Sequence, residues 1–177
     1  HCMKLNGAFE ITDQSLTQKL VALVTTEKGG PKTSFVGKSA KYILNQLGIS
    51  VDDSIRVIIT EVPKDHLLVQ EELMMPILPI VRVDDVDTAI EYAHEAEHGN
   101  RHTAMMHSRD VEKLSKMAKI METTIFVKNA PSYAGIGVGG EGHTTFTIAG
   151  PTGEGLTSAR SFCRKRKCVM TDAFSIR

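Results

Sequence analysis

The chain has 177 residues, 41% of them hydrophobic and 24% charged, ordinary proportions for a soluble globular protein with one substantial core or for a piece of something larger. Its 21 basic and 21 acidic residues cancel, so no global field draws it to nucleic acid or to an anionic membrane. The longest apolar run, residues 73–81, is too short for a bilayer and contains Pro76 and Pro79. No basic flank precedes an apolar segment at the amino end, so secretion is not indicated. Three cysteines without a framework of spacings suit a reducing cytosol better than a disulfide scaffold. The opening His1-Cys2-Met3 leads us to expect a fragment or a processed chain.

In chain order, Thr12 or Asp13 caps a predicted helix carrying Leu16, Leu20 and Leu23. Gly29-Gly30-Pro31 marks a turn, Phe35-Val36 a short strand, and Ile43, Leu44 and Leu47 one face of a helix stopped by Gly48. Ile55 to Val62 alternates and is β-branched, which predicts a strand. Ile77 to Val83 follows as a buried strand, and Asp84 or Asp85 caps a helix with Val86, Ala89, Ile90 and Ala93 that Gly99 ends. Thr103 to His107 is the next strand. Ser108 is expected to cap a helix through Val111, Leu114, Met117 and Met121, and Thr124 to Lys128 forms another strand. Single helices between strands imply an α/β fold, a parallel sheet with flanking helices. Asn129 to Gly155 shows no helical period, and a loop of that length serves a site or a partner. A short helix near Leu156 to Phe162 and a strand near Cys168 to Asp172 complete what reads as one domain.

Several motifs invite chemistry. His94-Glu95-Ala96-Glu97-His98 has the letters of a zinc-protease helix, but the apolar face lies on Val86, Ile90 and Ala93, and no metzincin continuation follows; no metal is expected. Gly135-Ile136-Gly137-Val138-Gly139-Gly140 spells a dinucleotide fingerprint without the strand and helix that it needs. Two readings of it stay open: close approach of backbone to a ligand, or a tight loop needing positive φ. Gly37-Lys38-Ser39 lacks the first glycine of a P-loop, and Arg164 to Lys167 reads as a solvated basic face. Glu71-Glu72 stands directly before a run that must be buried, where charge is costly unless something uses it, though a strand entry can also simply be charged.

Gln70-Glu71-Glu72-Leu73-Met74-Met75-Pro76-Ile77-Leu78-Pro79 resembles an element of aldehyde dehydrogenases, in the form of their CoA-acylating branch. Gly99-Asn100-Arg101-His102-Thr103-Ala104 with His107-Ser108, residues 124–129, residues 133–142 and residues 144–155 resemble the same branch, the enzymes of ethanolamine and propanediol utilisation. The resemblance implies most of a catalytic domain over residues 1–155 and a carboxyl-terminal helix and oligomerisation strand over 156–177. It implies NAD as cofactor, CoA as co-substrate and a short aldehyde, acetaldehyde or propionaldehyde, as substrate. The family's nucleophilic cysteine matches none of Cys2, Cys163 and Cys168, so the chain alone is expected to bind weakly and not to turn over. Glu72 matches the carboxylate that holds the nicotinamide ribose and is therefore expected to be buried and positioned for a sugar hydroxyl, and Met74 matches a position beside the nicotinamide. His102 becomes the candidate for proton transfer to or from the CoA thiol, beside the alternative of a satisfied histidine at a turn. Asn129, Gly139, Gly140 and Thr144 are candidates for the substrate and CoA pocket, favoured by the rule that ligands sit past the carboxyl ends of parallel strands. Relatives form homo-oligomers through terminal strands, in the bacterial cytoplasm or a microcompartment lumen. The competing expectation is a non-catalytic module that self-associates without binding nucleotide.

Overall fold

A computed structural model describes residues 2–140, 148–149, 155–169 and 171. It divides into two compact units, the first running to Ala96 and the second starting at Glu97. Both are built on parallel strands flanked by helices, the α/β class that the alternation implied.

In the first unit, α1 (Cys2–Leu5) leads into β1 (Ala8–Ile11), followed by α2 (Gln14–Val24), α3 (Ala40–Gln46), β2 (Val57–Glu61), α4 (Leu67–Gln70), β3 (Ile77–Ile80) and α5 (Val86–Ala96). The sheet order is β1-β2-β3, all parallel, with Phe9 opposite Ile58 and Ile58 opposite Ile77. Ile58, Ile59 and Thr60 on the central strand are all buried, as expected where both sheet faces are covered. Asp13 starts α2 by accepting from Ser15 N at 2.8 Å, and these bonds hold its carboxyl below the usual carboxylate range. The buried stripe Thr17, Leu20 and Val24 repeats at helical spacing. Ser39 Oγ accepts from Tyr42 N to start α3, and Gly48 takes φ +78° where the chain must turn out of it. The core gathers Ile11, Leu20, Val24, Ile43, Leu44, Ile58 and Leu73.

One polar pair crosses this core. Thr17 on α2 and Thr60 on β2 are both buried, with their hydroxyls 2.9 Å apart, and Thr17 Oγ1 also donates to Asp13 O at 3.3 Å. Thr17→Val strands the Thr60 hydroxyl, so urea denaturation should show a loss of about 1–3 kcal/mol. Replacing both by Val should recover most of that loss, because no buried hydroxyl is then left unpaired. Equal losses for the single and double variants would show that the pair contributes nothing specific.

Three expectations need correction here, and one element was missed. Phe35-Val36 is a turn rather than a strand; Phe35 is buried in the core cluster shared by α2, α3, β1 and β2. The strand expected to reach Val83 stops at Ile80, where its partner β2 stops at Glu61. Helix α5 ends at Ala96, since His98 and Gly99 both have left-handed φ, so His94 and His98 do not share a helix face. The four-residue α4 was invisible in the pattern; it is too short for a period, and His66 Nδ1 starts it by accepting from Leu68 N.

The second unit holds β4 (Thr103–Met106), α6 (Val111–Met121) and β5 (Ile125–Lys128), with β4 and β5 parallel and Thr103 opposite Ile125. Asp110, not Ser108, caps α6, accepting from Glu112 N and Lys113 N at 3.0 Å. Leu114, Met117 and Met121 form its buried stripe. A 3-10 turn at Ser132–Ile136 interrupts the segment that showed no period, and β6 (Ile148–Ala149) pairs antiparallel with β7 (Gly155–Leu156). Leu156 thus belongs to a strand; the short helix expected there is a 3-10 turn at Ala159–Phe162. Residues 164–169 have no regular structure, and Met170 and Asp172 of the expected terminal strand lie outside the described residues.

Candidate functional site

At the amino ends of β2 and β3 the first unit has a cleft of about 590 Å³. Its walls are Gly37 to Lys41 at the start of α3, Asp53, Ile55 and Arg56 leading into β2, and Met74, Met75 and Pro76 leading into β3. Gly37 N donates to Met74 O at 3.2 Å, and Ile58 N to Pro76 O at 2.8 Å, so the Glu-Glu-Leu-Met-Met-Pro element is tied to two walls. Met74 has φ +53°, strained for a side chain of its size, and is 60% exposed. Lys41 pairs with Asp53 at 2.9 Å and Lys38 lies over the Tyr42 ring. Arg56 lines the cleft with no ion-pair partner among the described residues.

Glu72 corrects an expectation. It is exposed in this chain, like Glu71, whereas Leu73 between Glu72 and Met74 is buried. The apolar run enters the core through Leu73, and the neighbouring Glu72 remains outside it. Its carboxylate has no hydrogen-bond partner among the described residues and stays available to a hydroxyl donor.

The carboxyl ends of the same strands carry a second cavity of about 450 Å³, lined by Gln14, Glu61, Lys64, Arg82 and Tyr92 among others. Most of its charged groups are paired, with Asp65 the exception among the described residues. Arg82 binds Glu61 through two bonds, 3.0 and 2.7 Å, which hold the Glu61 carboxyl below its ordinary range. Lys64 reaches Glu95 at 2.7 Å and covers the Tyr92 ring. The rule favouring carboxyl ends therefore finds a cavity there in which the charged groups other than Asp65 are already paired.

In the second unit, His102 directly precedes β4 and lines a pocket of about 220 Å³ with Thr103, Ile125, Ser132, Tyr133 and Ile136. Its ring Nδ1 lies 2.6 Å from Thr103 Oγ1. Its backbone is held at both ends: His102 N–H donates to Glu97 Oε1 at 3.3 Å, and His102 O accepts from Ile125 N at 3.1 Å. The pocket exists because Gly135 lets the 3-10 turn lie flat on β5; a Cβ there would collide with Ile125 Cγ2 and crowd Val127. Gly140 is similarly pressed on the Ala134 carbonyl, and Gly139 has φ +72°. For the glycine loop, close packing and positive φ thus supply a conformational reason at these positions.

Asn129 lies just past β5, also with left-handed φ, and its amide bonds both backbone groups of Ser108: Oδ1 accepts from Ser108 N at 2.7 Å and Nδ2 donates to Ser108 O at 2.9 Å. That clamp joins the carboxyl ends of β4 and β5. Thr144 lies outside the described residues. Arg56, Thr103 and Tyr133 escaped the sequence reading. The first cleft was signalled on one wall by the Met74-Met75-Pro76 element and on the other by Gly37-Lys38-Ser39, which was set aside as an incomplete P-loop.

A family model described as the aldehyde dehydrogenase family matches residues 56–158. The chain is 52% identical over 162 residues to a CoA-propanoylating propanal dehydrogenase of Salmonella typhimurium, covering 91% of this chain and 35% of that protein. It superposes with a TM-score of 0.91 and 68% identity on propionaldehyde dehydrogenase of Rhodopseudomonas palustris solved with propionyl-CoA, covering 94% of this chain and 37% of the other. A propionaldehyde dehydrogenase from the Clostridium phytofermentans fucose utilisation microcompartment gives 0.88 and 51%, covering 99% and 40%. The chain thus spans little more than a third of the length of the relatives it matches.

Proposed function

The chain belongs to the aldehyde dehydrogenase family, and on that premise we propose that it supplies part of an enzyme that oxidises a short aldehyde and delivers the acyl group to CoA. The observation that carries this reading is the cleft at the amino ends of β2 and β3, whose wall is the Met74-Met75-Pro76 element. Its similarity to CoA-propanoylating and propionyl-CoA-bound relatives supports the substrate class. NAD, when bound, accepts the hydride. Glu72 offers a free carboxylate of the kind that pairs with ribose hydroxyls, and Met74 presents an exposed apolar side chain beside it.

His102 serves the second half of the reaction, taking the proton from the CoA thiol as it attacks the thioester. An imidazole titrates close enough to neutrality for that task. The thioester itself forms on a cysteine outside this chain, so the 177 residues alone are inactive. Self-association through the segment after Phe162 and residence in a microcompartment lumen or the cytoplasm complete the proposal.

The test is a chimera in which this chain replaces the matching segment of the Rhodopseudomonas palustris enzyme. With propionaldehyde and NAD, the folded chimera should form NADH continuously only when CoA is present. A folded chimera that binds neither NAD nor CoA would support the non-catalytic module instead.

A further inference from the structure

His102 does not face its pocket unassisted. Thr103 Oγ1 approaches Nδ1 to 2.6 Å, and no second partner for the ring is found among the described residues. Successive side chains on a strand point to opposite faces. His102 escapes that alternation because it precedes β4 and follows Arg101, whose φ is +51°. This turn is secured by Arg101 NH1 on Glu122 at 3.0 Å and by Thr124 N–H donating to Arg101 O at 2.9 Å. The backbone is therefore preset, and the contact with Thr103 is the one that acts on the ring itself.

We propose that Thr103 is a positioning residue: its hydroxyl accepts from His102 Nδ1–H and keeps the neutral ring in the tautomer with a bare Nε2. The inference rests on the reading of His102 as the proton-transfer group. A hydroxyl can donate or accept, but an imidazolium carries a proton on each nitrogen and can only donate. With Thr103 accepting, Nε2 gains and loses its proton while the Nδ1–H···Oγ1 bond persists in both states. With Thr103 donating, every protonation at Nδ1 would have to break that bond and turn the hydroxyl. The β-branch of Thr103 restricts χ1, so the acceptor stays in place. The hydrogen bond made by one ring nitrogen sets the state of the other.

The test needs no cofactor. The 15N-labelled 177-residue chain is examined by long-range proton–nitrogen NMR at about pH 8.5, well above an ordinary imidazole pKa of about 6.5, with His102→Gln identifying the resonances. The intact chain should show Nε2 unprotonated and Nδ1 protonated. Thr103→Val should lose that state for the Nε2–H form that free histidine favours in water, and Thr103→Ser should retain it. An Nε2–H ring in the intact chain overturns the proposal even if Thr103→Val fails to fold, and so does an unchanged tautomer in folded Thr103→Val. Failure of the acylation reading appears separately, as a chimera without CoA-dependent turnover whose His102 tautomer is as described.

Discussion

His102→Ala in the chimera is expected to lower steady-state, CoA-dependent turnover by about 10²–10⁴-fold, the usual contribution of a positioned acid–base group. The loss should be confined to acyl release. A thiol with a pKa of about 8.5 is mostly protonated at neutral pH, so its attack needs a base. Hydride transfer precedes that attack, so rapid mixing should still show a first-turnover burst of NADH of unchanged amplitude. The direction with pH follows: as pH rises toward the thiol's own pKa, more CoA is thiolate without help, and the defect should narrow. A variant that keeps its steady-state rate would make His102 a histidine satisfied at a turn by Thr103 and nothing more. Loss of the burst as well would point to a collapsed pocket, which the flat seat of Gly135 against β5 makes a separate, structural failure.

Ile58→Ala should cost about 2–5 kcal/mol, read as a shift of the urea midpoint of the first unit. Ile58 is fully buried on the central strand, between Phe9 of β1 and Ile77 of β3, within the cluster formed with Leu20, Val24, Ile43 and Leu44. Removing its branches leaves a void that the packed cluster around it cannot close without moving a strand. The same residue donates its N–H to Pro76 O, so the slack reaches the wall of the 590 Å³ cleft. Val86→Ala is the control, since Val86 is 43% exposed at the start of α5 and should change stability by no more than about 0.5 kcal/mol. An Ile58→Ala loss as small as that of Val86→Ala would place the core elsewhere.

The elements with local causes were legible. Asp13 before Leu16, Leu20 and Leu23 announces α2, and Gly48 after Ile43 and Leu44 announces the end of α3, because caps and buried stripes are written at fixed spacings. Where two local solutions compete, the spacing is silent. Ser108 and Asp110 both qualify as caps, and Asp110 takes the role while Ser108 Oγ accepts from Asp110 N and Asn129 holds both backbone groups of Ser108. Phe35 has the composition of a strand, but its side chain enters a core of helix and strand residues that only folding brings near.

The site divides in the same way. Glu72, Met74 and His102 stood out through the family resemblance, and the matched family together with the CoA-acylating relatives agrees with the class read from those segments. The sequence by itself determined the α/β class, the alternation of longer strands and helices from β2 to β5, and the family, because each is carried by periodicity, capping residues or contiguous motifs. Tertiary structure decided that Leu73 rather than Glu72 enters the core, that Lys38 and Arg56 stand across from Met74, and that Thr103 meets the ring of His102. Those three outcomes depend on backbone turns and on contacts between segments far apart in the chain, and neither leaves a periodic trace in the order of residues.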